Sequence, residues 1–270
     1  MAIKKKVNEL HGNLSLTFAK RGKQTKLTSN FATPPLRASR SLYLDHDDRA
    51  TVYLIETSGG MVAGDYNKTS IELEANSHGR LIQQSSTKIY PSEFGRACNQ
   101  VTDIKLAEDS SLYWVPETII PYKDSIYNGQ TKIQLEPSST LLYGEIISSG
   151  REKSNESFEF TSFQSCTDIR LQDECISYDS LRFLKGQFEP TKLGMFESGT
   201  YLGSVWYYSP LVTGTDRDEI NHLLSASSNH RAASTHFHRS GIYVRWISND
   251  LCLVKKEMTN VFSLLSQKQE

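Results

Sequence analysis

Short runs in which apolar and polar side chains alternate fill the first three quarters of this chain. A period of two is the mark of a strand that buries one face and wets the other. In 131–136, Ile133 and Leu135 point one way while Lys132, Gln134 and Glu136 point the other. The pattern predicts strands over 13–19, 50–57, 68–73, 80–85, 101–106, 111–115, 125–135, 141–148, 157–164, 167–171, 176–184 and 201–208. Helical spacing appears only late. Acids at 216, 218 and 219 precede Ile220, Leu223 and Leu224, and an apolar stripe of Leu251, Val254, Met258, Val261, Phe262 and Leu265 marks a second helix over 251–265. The glycine-punctuated segment 186–199 reads as an irregular loop. No fixed-period repeat, low-complexity tract or linker is visible. The expected architecture is therefore mainly β, in stacked layers of mostly antiparallel strands, with two α-helices near the C-terminus.

Length and composition fit a single domain over 1–270, β-rich from 10 to 210 and helical with strands from 211 to 270, in which 37% hydrophobic residues can build a large core. Lys plus Arg (30) nearly cancel Asp plus Glu (31), so the field of a nucleic-acid binder is missing. No segment approaches a membrane span of roughly 18 apolar residues. The basic start Met1-Ala2-Ile3-Lys4-Lys5-Lys6 is followed by Asn8 and Glu9 where a signal peptide needs an apolar run, so the chain reads as cytoplasmic. Cys98, Cys166, Cys175 and Cys252 form no C-x-x-C pair and are expected to be reduced, packed thiols.

Several polar groups interrupt the β-pattern. Glycines 59, 60 and 64 permit a tight reversal that fixes Asp65, either as a turn brace or as an interior polar contact. The run Ser85-Ser86-Thr87-Lys88 pairs a lysine with hydroxyls but lacks the glycines of a phosphate loop, and G-x-x-x-x-G-K-[ST] occurs nowhere. Pro116 and Pro121 bracket a corner expected to break ladder pairing. Glu145 is a carboxylate in an otherwise apolar run, a costly placement unless paired or facing water, and Arg151 is a possible mate. His236 and His238 would share one side of a strand at a spacing that suits weak metal contact. A β-rich hydrolase or ligand-binding module stays open as the alternative reading, although no G-x-S-x-G elbow is present.

Taken in order, Gly59-Gly60-x-x-x-Gly64-Asp65, Gln84-x-x-Thr87-Lys88-x-Tyr90, the Pro116 to Pro121 corner, Glu145-Ile146 and Gly150-Arg151 resemble the urease accessory protein family UreD, called UreH in some bacteria. The resemblance begins near Gly12-x-Leu14 and is strongest over 52–152. Ala63 stands where the family usually has Gly, Ser85-Ser86 where it tends to have small residues such as Ala, and the Gly-Glu that follows Gly-Arg in the family is displaced here to Glu152 and Glu156. The resemblance implies β-layers of β-helical character and a non-enzymatic role in urease maturation. It implies urease apoprotein and UreF as partners, with the GTPase UreG joining through UreF, and nickel passing transiently through an internal polar tunnel with no tightly bound cofactor. The residues it marks as route or partner contacts are Asp65, Ser85, Thr87, Lys88, Tyr90, Glu145 and Arg151, with His236 and His238 as weak metal candidates.

Overall fold

A computed structural model describes residues 9–44, 48–187, 189–193, 195–197, 199–224 and 230–268. The basic start and three positions of the 186–199 loop lie outside them; the rest of that loop forms turns. Two sheets face each other. One has seven strands, in the order β14 (Glu174–Leu184), β13 (Ser162–Leu171), β11 (Ile126–Leu135), β8 (Cys98–Leu106), β5 (Tyr66–Leu73), β1 (His11–Arg21) and β2 (Gln24–Thr33). The other runs β16 (His230–His238), β17 (Gly241–Ser248), β15 (Tyr201–Tyr208), β12 (Thr140–Ser148), β9 (Ser111–Val115), β6 (His78–Gln83), β4 (Ala50–Glu56) and β3 (Leu36–Ala38). Short β7 (Thr87–Ile89) and β10 (Thr118–Pro121) attach beside β12. The chain passes from one sheet to the other at β5–β6, β8–β9 and β11–β12, the path of a solenoid coil.

The mainly β, stacked architecture is as expected, but the strand direction is corrected. From β1 to β13 every pairing in the first sheet is parallel, as is every pairing from β4 to β12 in the second. Antiparallel pairs close the ends of the two sheets. The residue pattern misleads because a parallel sheet is usually covered on both faces and reads as a continuous apolar run. Here the outer face of the first sheet is wet, and it carries Lys68 3.5 Å from Asp103 and the cross-strand row Asp103, Lys132, Asp168. The Pro116 to Pro121 corner also pairs after all, since β10 lies parallel between β7 and β12.

The parallel register exposes a repeat that variable spacing hides. Thr-x-Ile-x-Leu occurs at Thr69, Thr102, Thr131 and Thr167, which are 33, 29 and 36 residues apart. Pairing aligns the copies, so Ile71, Ile104, Ile133 and Ile169 form one inward row and Leu73, Leu106, Leu135 and Leu171 the next. In the first three copies a serine follows the leucine by four positions. Ser77, Ser110 and Ser139 are nearly fully buried, and each hydroxyl donates at 2.7 Å to the carbonyl three residues earlier. One turn is thus built three times.

The helices cover the outer side of the second sheet. Helix α1 (Gly214–Leu223) begins where the Asp216 carboxylate accepts the Thr213 N–H at 2.8 Å, and α2 (Leu251–Gln267) where Asp250 accepts the Leu253 N–H at 3.0 Å. The α2 stripe Val254, Met258, Val261 and Leu265 packs against Val205, Val244 and Trp246. Glu257, also on α2, is buried yet satisfied, accepting Trp246 Nε1 at 2.9 Å and lying 3.1 Å from His230 Nε2. Of the cysteines only Cys98 is packed; Cys175 and Cys252 are exposed, which corrects the expectation of four buried thiols. Because Ile133 sits inside an unbroken isoleucine row, Ile133→Ala is expected to lower the unfolding free energy by about 2–5 kcal/mol in urea denaturation.

Candidate functional site

Between the two isoleucine and leucine rows and the aromatic cluster of Tyr127, Phe160, Phe163 and Phe183, the space between the sheets changes character. Thr69, Thr102, Thr131 and Thr167 form one inward row across four strands, and Asn67, Gln100, Gly129 and Ser165 form the next. The facing sheet contributes Gln83, Thr87 and Glu145. This polar belt encloses two cavities of about 40 and 50 Å³. Gln83, Thr87, Gln100, Thr102 and Trp114 line both of them. The first reaches Glu145, Thr131 and Ser165; the second reaches Ser85, Glu56, Asn67 and Thr69.

Glu145 sits on β12, opposite Ser204 of β15, which in turn faces Arg245 of β17. Its Oε1 accepts the Tyr143 hydroxyl at 2.7 Å and the Thr167 hydroxyl at 3.2 Å, and Thr131 Oγ1 lies 3.3 Å from the same tyrosine oxygen. Burial pushes the Glu145 carboxyl up to about 7, against the two hydroxyl donors and the Arg245 charge, which hold it down. A carboxyl poised near neutrality at a polar cavity can hold or release a proton as a cation arrives. Thr87 is buried and accepts Gln83 Nε2 at 2.9 Å, while Ser85 is exposed at the mouth.

The other sequence candidates scatter. Asp65 is 2% exposed and lies off both cavity linings, because its two oxygens each accept a backbone N–H at 2.8 Å, from Leu10 and from Val62. It ties the start of β1 to the glycine turn. Gly60 permits that turn at φ +142°, where a Cβ would come within 2.5 Å of the Lys88 carbonyl. Lys88 itself points to solvent, and Tyr90 packs edge-on against Tyr122 at 5.1 Å. Arg151 is not the mate of Glu145. Its Nε donates to Glu156 Oε2 at 2.8 Å and its guanidinium lies 4.3 Å over the Tyr122 ring, since it follows the Gly150 turn while Glu145 points between the sheets.

The histidine pair is also separated. His236 stands opposite Ile242 and His238 opposite Gly241, adjacent positions of β17, so a bulge at Phe237 turns the two imidazoles to opposite faces. His238 Nδ1 accepts the Ser240 N–H at 3.1 Å. Among the described residues no three His, Cys, Asp or Glu side chains gather closely enough to hold a metal ion. The sequence reading missed most of the belt, among it Gln83, Gln100 and Thr102, and it missed two acids: Glu117, which lines the first cavity, and Glu56, which ends β4 and lines the second. Its position at a strand boundary disguised Glu56, although its alternation with inward Val52 and Leu54 points it between the sheets.

A family model described as UreD urease accessory protein matches residues 10–270. The chain belongs to this family. Curated proteins named urease accessory protein UreD share its length as well as its sequence. One from Lysinibacillus sphaericus (strain C3-41) is 36% identical over 261 residues, covering 97% of each chain. One from Sporosarcina pasteurii is 38% identical over 249 residues, covering 92% of this chain and 97% of its own. A third, from Halalkalibacterium halodurans, is 32% identical over 256 residues, covering 94% and 93%. UreD membership makes this an accessory protein of urease maturation, and no helix among the described residues is long and apolar enough to cross a membrane.

Two outcomes follow from the site chemistry. The folded state holds a proton on Glu145 that the unfolded chain releases in the ordinary carboxylate range, so stability falls as pH rises from there through about 7. Thermal unfolding of Glu145→Gln at pH 5 and pH 8 should show that slope reduced, by up to about 3 kcal/mol between the two conditions. Asp65→Ala, which strands two backbone N–H groups, should cost about 2–4 kcal/mol in urea denaturation.

Proposed function

We propose that this protein is a non-enzymatic urease maturation factor that binds urease apoprotein and the UreF and UreG accessory proteins in the cytoplasm, and passes nickel along the polar belt. The observation that carries the reading is the pair of neighbouring cavities inside a β-core that share Gln83, Thr87, Gln100, Thr102 and Trp114 as lining residues. A divalent ion stripped of water between apolar walls meets a large desolvation cost. Hydroxyl and amide oxygens spaced along the belt offset that cost at each step. They also bind weakly, because neutral oxygen donors are poor ligands for a metal that favours imidazole and thiolate. Weak binding suits an ion that must leave again.

Glu145 supplies the negative charge at one end of the belt. The proton that its hydroxyl-bonded carboxyl holds near neutral pH can leave as the cation arrives, so the site need never carry an uncompensated charge. No phosphate loop lies in the sequence, so nucleotide hydrolysis falls to the GTPase partner.

Thr102, buried at the wall common to both cavities, is the place to block the belt without touching its charges. Co-expression of Thr102→Leu with urease and the other accessory proteins, nickel held fixed, should leave the accessory complex intact on co-purification. The nickel content of purified urease should fall several-fold. Full nickel content in the presence of folded, complexed Thr102→Leu would remove the belt from the route.

A further inference from the structure

Four strands form the edges of the two sheets, and three of them are guarded. On β2 the Thr25 N–H donates to the Asp48 carbonyl at 2.8 Å and the Leu27 N–H to Ser41 Oγ at 3.2 Å, so the segment between β3 and β4 covers that edge. On β16 the Ser234 N–H donates to Asn221 Oδ1 of α1 at 3.1 Å. β3 is only three residues long. Short length and covering segments are how sheets keep their edges from pairing with other chains. β14 has neither. It is the outermost strand of the first sheet, eleven residues long and without proline.

One bond sets the phase of β14. The Lys185 N–H donates to the Thr161 carbonyl at 3.0 Å, and in an antiparallel ladder the exchanging pairs recur at every second residue. Phe183, Leu181 and Asp179 therefore bond Phe163, Ser165 and Thr167 of β13, and the N–H and C=O groups of Tyr178, Ser180 and Arg182 point off the edge of the sheet. No turn or loop of the described residues supplies those three with a backbone partner. Their side chains stand on the wet face. Tyr178 is 65% exposed, and Arg182 is exposed with no ion-pair partner among the described residues.

The order Tyr178, Ser180, Arg182 is self-complementary. We propose that β14 pairs antiparallel with β14 of a second copy of this chain, about a two-fold axis at Ser180. Ser180 then faces its own counterpart, and Tyr178 of each copy faces Arg182 of the other. The outward N–H and C=O groups meet in three exchanging pairs, about six bonds in all. Each guanidinium lies beside a phenol ring, a favourable cation–π pairing, and only the register centred on Ser180 sets these two side chains opposite each other. The two first sheets become one continuous sheet with no open β14 edge. One strand pair is a small contact, so the dimer is weak and depends on concentration. The pairing stands apart from the metal route and does not rest on it.

Sedimentation equilibrium of the purified full-length protein tests the pairing. The expected result is a monomer–dimer equilibrium that Ser180→Pro weakens about tenfold or more while thermal unfolding of the monomer is retained, because the Ser180 N–H makes no bond to β13. Tyr178→Arg should weaken it too, by setting arginine against arginine. Adding Arg182→Glu to that variant should restore the dimer, a recovery that loss of folding cannot mimic. Facing positions stand about 5.5 Å apart between Cα atoms, within disulfide reach, so mild oxidation should link Ser180→Cys into a dimer and leave Arg182→Cys unlinked. A monomer at every concentration, or a dimer indifferent to the changes at 178, 180 and 182, would overturn the proposal. So would a monomer whose Ser180→Pro variant loses urease apoprotein on co-purification, which would give the edge to a strand of another protein.

Discussion

In-register parallel pairing is the constraint on which the rest of this structure depends. When successive coils stack without slippage, each inward position becomes a row that crosses the sheet, and a slip of one residue would turn every row to the wrong face. Isoleucine lies beside isoleucine and leucine beside leucine, so the apolar rows close over themselves. By the same rule threonine lies beside threonine, and the next row is amide, glycine and serine. Polarity therefore varies along the strands and not between them. A hydrophilic band running across the strands is the geometric result, and the facing sheet completes it with Gln83, Thr87 and Glu145.

That band would be a defect in a core with no other task. Buried hydroxyls and carboxylates destabilise a fold unless they are hydrogen-bonded, and many here bond one another: Tyr143 and Thr167 to Glu145, Gln83 to Thr87. Stability is drawn from elsewhere, from the isoleucine and leucine rows on one side, the aromatic cluster on the other, and the helices on the outer face of the second sheet. The repeated serine turns add rigidity at the coil ends.

The sequence shows some of this and hides the rest for identifiable reasons. Alternation locates most of the long strands, yet β2, β3, β7, β10 and β17 are absent from the expected set, and the runs 157–164 and 167–171 merge into one strand, β13, that starts only at Ser162. Direction was illegible because a parallel sheet with one wet face alternates as an antiparallel one does. The Thr-x-Ile-x-Leu repeat escaped notice because unequal loops between copies erase any fixed period, and only the register brings it out. Glu145 was legible as a charge among β-branched neighbours. Glu56 was not, since an acid at the end of a strand looks like a boundary. Asp65 invited a functional reading through its glycines, but those glycines serve the turn and its carboxylate serves the backbone of Leu10 and Val62. Arg151 found its partner five residues away because a turn, and not a strand, carries it.

The central claim is that divalent ions occupy the space between the sheets, and X-ray data at the nickel absorption edge from crystals soaked in Ni²⁺ would test it most directly. The account predicts anomalous peaks inside the belt, between Glu56 and Glu145. Ordered nickel found solely on outer surfaces, with the belt free of anomalous signal at the same soak concentration, would contradict it.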